Sequence, residues 1–127
     1  MAQQFIVQLK NEPGALATLA EALAARGVDL RAIGGGGRGD TGHVILTTAD
    51  DDTARQVLID GGYTYFEGES LLAEVDDQPG GMAKIARRLA DAGVNIHGHL
   101  FIGRWGDRAM FAFVVDDPEK ARSVLEQ

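Results

Sequence analysis

Apolar residues between positions 16 and 23 recur at intervals of three and four: Leu16, Leu19, Ala20 and Leu23. That spacing predicts a helix with one apolar stripe. Met82, Ile85, Ala86 and Leu89 repeat it. Each helix is preceded by a short apolar stretch that reads as a strand, residues 4–10 (QFIVQLK) and 70–76 (SLLAEVD). Each ends at a glycine, Gly27 or Gly93, where a helix stop favours that residue. Alternating stretches follow at 28–33 and 94–102. Strict alternation puts Val28, Leu30 and Ala32 on one face and Asp29, Arg31 and Ile33 on the other. Further strands are predicted at 42–48 and 109–115. Second helices follow acidic starts at Asp50–Asp52 and at Asp117, with Pro118 at the first helical position.

The pattern is a duplication. Residues 11–30 and 77–96 share eight identities, Pro13/Pro79 and Gly14/Gly80 among them. The likeness resumes at Gly39-Asp40 against Gly106-Asp107, and at 54–58 (ARQVL) against 121–125 (ARSVL). Repeats of this kind define the unit of folding. The unit reads strand–helix–strand–strand–helix–strand, and the last strand of the first copy is 63–68 (YTYFEG). The second copy reaches Gln127 straight after its helix, so its last strand is expected to be missing. The prediction is an α+β chain of two ferredoxin-like (βαββαβ) units, 1–68 and 69–127. Each would carry an antiparallel sheet with its helices on one face.

Composition narrows the function. Of 127 residues, 45% are hydrophobic, enough for a core. The net charge of -7 disfavours nucleic acid and anionic membrane as partners, which need clustered cations. With no cysteine, disulfides and thiol nucleophiles are excluded. The start lacks a signal-peptide pattern and no apolar run could span a bilayer. The expected location is the cytoplasm.

The Pro-Gly turn followed by an Ala-rich helix and Gly-Val-(Asp/Asn)-(Leu/Ile), written twice, resembles the ACT domain. Two copies filling residues 4–127 resemble small standalone tandem ACT proteins. The resemblance implies a non-catalytic regulatory module that binds a small molecule, most often an amino acid, where strand–helix loops face a neighbouring ACT unit. It also implies a homodimer, and a metabolic enzyme or regulator as a further partner. The expected ligand-binding residues are Asn11, Glu12, Gly14, Ala15 and Leu16 in the first copy, and Asp77, Gln78, Gly80, Gly81 and Met82 in the second. Physical chemistry agrees with the loop. A helix start offers unpaired N–H groups to a carboxylate, and glycine lets an anion approach the backbone. Asp77 could take an ammonium group, while Asn11 and Gln78 suit either end of an amino acid. Pro and Gly also make good turns without any ligand. The double glycine makes the second loop look the more open.

Other features carry less. Residues 33–44 (IGGGGRGDTGHV) lack the Gly-Lys-Ser/Thr ending of a phosphate loop and are expected to form a flexible hairpin tip, or a flap whose ordering a ligand must offset. His97 and His99, two apart on a strand, are expected to look toward the uncovered sheet face as part of a ligand wall or interface. With His43 they form a remote metal-sensor alternative, but no carboxylate or cysteine completes a site, so neither metal nor cofactor is expected. Trp105 sits near the second hairpin as an aromatic anchor or an edge cap. No nucleophile elbow or catalytic triad pattern appears, and no enzyme activity is expected. The alternative to ligand binding is an interaction or oligomerisation module that uses open sheet edges.

Overall fold

The computed structural model describes residues 2–126. The elements run β1 (Gln3–Lys10), α1 (Ala15–Ala25), β2 (Leu30–Arg38), β3 (Thr41–Thr48), α2 (Asp51–Asp60) and β4 (Tyr65–Glu69). They continue with β5 (Leu71–Asp76), α3 (Gly81–Asp91), β6 (Ile96–Trp105), β7 (Arg108–Val115) and α4 (Pro118–Leu125). The chain divides into two compact units, Met1–Gly68 and Glu69–Gln127. The first holds a four-stranded sheet in the order β2-β3-β1-β4, that of a ferredoxin-like unit. The second, among the described residues, holds three strands in the order β5-β7-β6. β3 is antiparallel to β1 and β2, and β7 to β5 and β6.

Each unit has its own core. Phe5 and Val7 of β1 and Val44 and Leu46 of β3 meet Leu19 and Leu23 of α1 and Ala54, Val57 and Leu58 of α2. In the second unit, β5 and β7 meet Ile85 and Leu89 of α3 and Ala121 of α4. The helical stripe of the second copy is as expected, with Met82 packed against the core. In the first copy the stripe stops short: Leu16 is 51% exposed.

The helix starts divide into two kinds. Asp50 caps α2 by accepting from the Thr53 backbone N–H at 3.1 Å, and Asp117 caps α4 by accepting from that of Lys120 at 3.1 Å. These are the acidic caps expected from sequence. α1 and α3 begin at Gly14 and Gly80, with φ of 89° and 91° and no side-chain cap. The Asp50 carboxyl is held below its ordinary pKa, chiefly by the Thr53 hydroxyl and then by the Thr53 amide. Arg55 ties α2 to β4, donating from Nη2 to Glu67 Oε2 at 2.8 Å and from Nη1 to Asp52 at 2.9 Å.

Strand alternation departs from expectation at one equivalent place in each unit. The register of β2 against β3 shifts between Leu30 and Ala32, and that of β6 against β7 between Ile96 and Gly98. Arg31 and His97 are therefore bulged, and a bulge inverts every side chain beyond it. Ile33 pairs with Leu46 and His99 with Phe113, both core residues. Residues directly opposite on antiparallel strands share a face. Ile33 and His99 thus lie on the helix side of their sheets, and the expectation that His99 looks toward the uncovered face is corrected. Residues 34–37, expected at a hairpin tip, are paired within β2; the tip is Gly39-Asp40.

Phe113→Ala should cost about 3–5 kcal/mol, since the ring is fully buried. Leu72→Ala, at a side chain 59% exposed, should stay within about 0.5 kcal/mol. Urea unfolding of the two variants reads the difference. The Asp50 cap has a depressed folded-state pKa, so its contribution is present at neutral pH and lost as pH falls through that lowered value. Asp50→Ala should be less stable than the parent at neutral pH, and the two should converge in acid.

Candidate functional site

The loop between β1 and α1 is held from below. Asn11 N–H donates to the Asp40 carbonyl at 2.9 Å, and Asn11 Nδ2 donates to the Gly39 carbonyl at 3.0 Å. Both bonds pin the loop to the β2–β3 hairpin tip. They also leave Asn11 Oδ1 turned toward Gly37, where an added Cβ would lie 2.9 Å from it. Beyond Asn11, the left-handed backbone at Gly14 starts α1 with neither a side-chain cap nor an acidic residue in its first turn. The first amides of the helix therefore offer donors and the positive end of the helix dipole.

The edge strand opposite that helix start carries almost no side chains. The Arg31 bulge puts residues 33, 35 and 37 on the helix side, and two of them are glycines. At Gly35 only glycine fits: φ is 156°, and a Cβ would lie 2.2 Å from the His43 carbonyl oxygen. A groove of about 440 Å³ results, in the size range of small-molecule sites. One wall is Leu9 to Glu12 with Ala15 and Leu16; the other is Ile33 to Gly37 with Gly42, His43 and Val44. Leu16 and Ile33, 51% and 49% exposed, stand at the groove. A cavity of about 590 Å³ lies across the same loop, lined by Glu12, Gly14, Ala15, Lys10, Asp40 and Tyr63 among others.

In the second unit the equivalent space is occupied by the chain itself. Gly35 pairs with Val44, and the matching pair there is Phe101 with Phe111. The two rings meet edge to face at 5.6 Å between centroids. Gly37 pairs with Gly42, and the matching pair is Arg104 with Ala109. The Arg104 guanidinium lies 4.6 Å from the Phe101 ring centroid, a cation–π contact, and its Nε reaches Asp77 Oδ2 at 2.9 Å. Asp77, expected to be available for a ligand ammonium, is engaged by Arg104.

Gly81 did not open the second loop either. A Cβ there would meet the Asp76 carbonyl oxygen at 2.3 Å, so close backbone packing requires this glycine. Gln78, Gly80 and Gly81 instead line a separate cavity of about 390 Å³, with Lys84, Arg88 and Arg108. There Arg108 donates to Glu74 at 2.8 Å and pairs with Asp76; the Glu74 hydrogen bond is the main cause that holds its pKa above the ordinary value.

Of the residues singled out from sequence, Asn11, Glu12, Ala15 and Leu16 come together at the 440 Å³ groove. Gly14 lies across the loop from it, and the second-copy residues are elsewhere. His97 and His99 are exposed on β6. Among the described residues, no group of three His, Asp or Glu could hold a metal ion. Ile33, Gly35, Gly37 and His43 were missed as groove residues, as were Phe101 and Arg104 as occupants of the second space. Aligning the repeats shows the signal: glycine in one copy stands opposite phenylalanine in the other.

Residues 70–127 match the model of the ACT domain. They are the second unit almost entire, so the unit that matches the ACT model is the self-filled one. Solved structures extend the likeness to both units. Protein BT0572 from Bacteroides thetaiotaomicron is 24% identical over 98% of this chain and 86% of that one, with a TM-score of 0.80. The regulatory subunit of aspartate kinase from Thermus thermophilus, in its ligand-free form, is 21% identical over 98% of this chain and 87% of that one, with a TM-score of 0.69. The Thermus flavus regulatory subunit gives 20%, 98%, 88% and 0.67. At these identities the likeness is one of fold. No curated protein matches the chain. No helix among the described residues is long and apolar enough to cross a membrane.

Gly35→Ala should destabilise the first unit by about 1–3 kcal/mol, because the Cβ meets backbone in a strained conformation. Gly36→Ala, whose Cβ would meet nothing within 4 Å, should change stability by no more than about 0.5 kcal/mol. Chemical unfolding of the pair tests whether close packing, rather than flexibility, dictates the glycine run.

Proposed function

We propose that this protein is a non-catalytic regulatory module that binds an amino acid in the groove of its first unit. The observation that carries the reading is the contrast between copies. One duplicated fold keeps an open groove beside an uncapped helix start, and the other fills the same place with Phe101 and Arg104. In this reading the first amides of α1 take the ligand carboxylate and Asn11 Oδ1 accepts from its ammonium group. Glu12 lies near enough to favour the ammonium end. The ACT match and the shared fold of aspartate kinase regulatory subunits support regulation of a metabolic enzyme in the cytoplasm. Exposed Leu16 and Ile33, together with the free edge of β2, favour a second copy of the chain covering the open side of the groove.

The test is a thermal-shift screen of the twenty amino acids. Ligand at about 100 times its dissociation constant adds about 2.7 kcal/mol, which shifts a domain of this size by several degrees. The shift should vanish in Asn11→Ala and persist in Asp77→Ala, both variants remaining folded. No shift with any amino acid would sink the reading and leave an interaction module in its place.

A further inference from the structure

The second unit displays what fits the groove of the first. Its helix-side edge position, glycine in the first unit, carries Phe101, whose ring rests on Phe111. The first unit offers Val44 at the position of Phe111, 4% exposed, and adds Leu9, Leu16 and Ile33 as apolar walls. An apolar side chain laid over Gly35 would cover these walls as Phe101 covers Phe111. A charged side chain there would lose water without gaining a partner: the cation that lies over the ring in the second unit, Arg104, has its own carboxylate in Asp77, and the first unit has neutral Asn11 at that place.

We propose that the groove selects amino acids with a bulky apolar side chain, branched aliphatic or aromatic, and that Leu16 and Ile33 set this specificity. The proposal rests on the reading of the groove as an amino-acid site. In the bound state the ligand side chain stands in for the ring that the second unit supplies from its own strand. The two residues that define the pocket for it are half-exposed otherwise, so their side chains contribute little to either core.

Calorimetric titration of the full chain with leucine, phenylalanine, serine, lysine and aspartate tests it. Leucine or phenylalanine should bind, and serine, lysine and aspartate should bind at least about tenfold more weakly. Leu16→Asn and Ile33→Asn should each weaken the apolar ligand about tenfold or more while leaving the unfolding midpoint of the ligand-free protein near that of the parent. Preference for serine, lysine or aspartate would overturn the apolar specificity and keep the site. Unchanged leucine and phenylalanine affinity in both variants would overturn the role of Leu16 and Ile33. Silence with all five would overturn the amino-acid site itself, and this proposal with it.

Discussion

One extra residue in an edge strand decides which side chains face the helices. Strand side chains have a period of two, so the bulges at Arg31 and His97 invert everything that follows them. Without the bulge, residues 35 and 101 would face away from α1 and α3. With it, Gly35 leaves a groove beside the start of α1, and Phe101 fills the matching place. The distinction between an open and a self-filled unit is therefore a property of two residues made relevant by a backbone irregularity that both copies share.

The two copies also show how a duplicated fold can separate stability from recognition. In the second unit Phe101, Arg104 and Asp77 satisfy one another: an apolar ring is half covered, a guanidinium finds both a π face and a carboxylate, and Met82 packs against the core. In the first, Leu16 and Ile33 remain about half exposed. Exposed apolar side chains clustered around a concavity are better explained by something that covers them than by the fold they belong to. The uncapped helix start adds the polar half of the same argument. α2 and α4 show that this chain caps helices with aspartate where architecture alone is at stake.

Much of this was legible in the sequence. The helical stripes, the aspartate caps and the order of elements follow from periodicity and turn chemistry, and four of the five first-loop residues named from sequence line the groove. The bulges were not legible, because Arg31 and His97 are ordinary strand residues and nothing in the alternation announces an insertion. That single omission turned His99 to the wrong face. The glycine run was misplaced for a related reason: four glycines suggest a loose tip, whereas pairing with β3 and contact at the His43 carbonyl hold them in a strand. Gly81 misled in the opposite sense, since a glycine that looks inviting to a ligand is there to clear the Asp76 carbonyl.

The glycine run has a consequence for motion. Gly34 to Gly37 form the outer strand of their sheet with no side chains to shield the ladder to β3, whereas the matching part of β6 carries Leu100 and Phe101. Local opening is easiest where few apolar contacts hold a strand and solvent reaches its hydrogen bonds. Backbone amides along β2 should thus exchange with deuterium sooner than their counterparts in β6. The place with the least protection in the molecule would then be the floor of the groove, and anything that settles there would be recorded first as slower exchange of that strand.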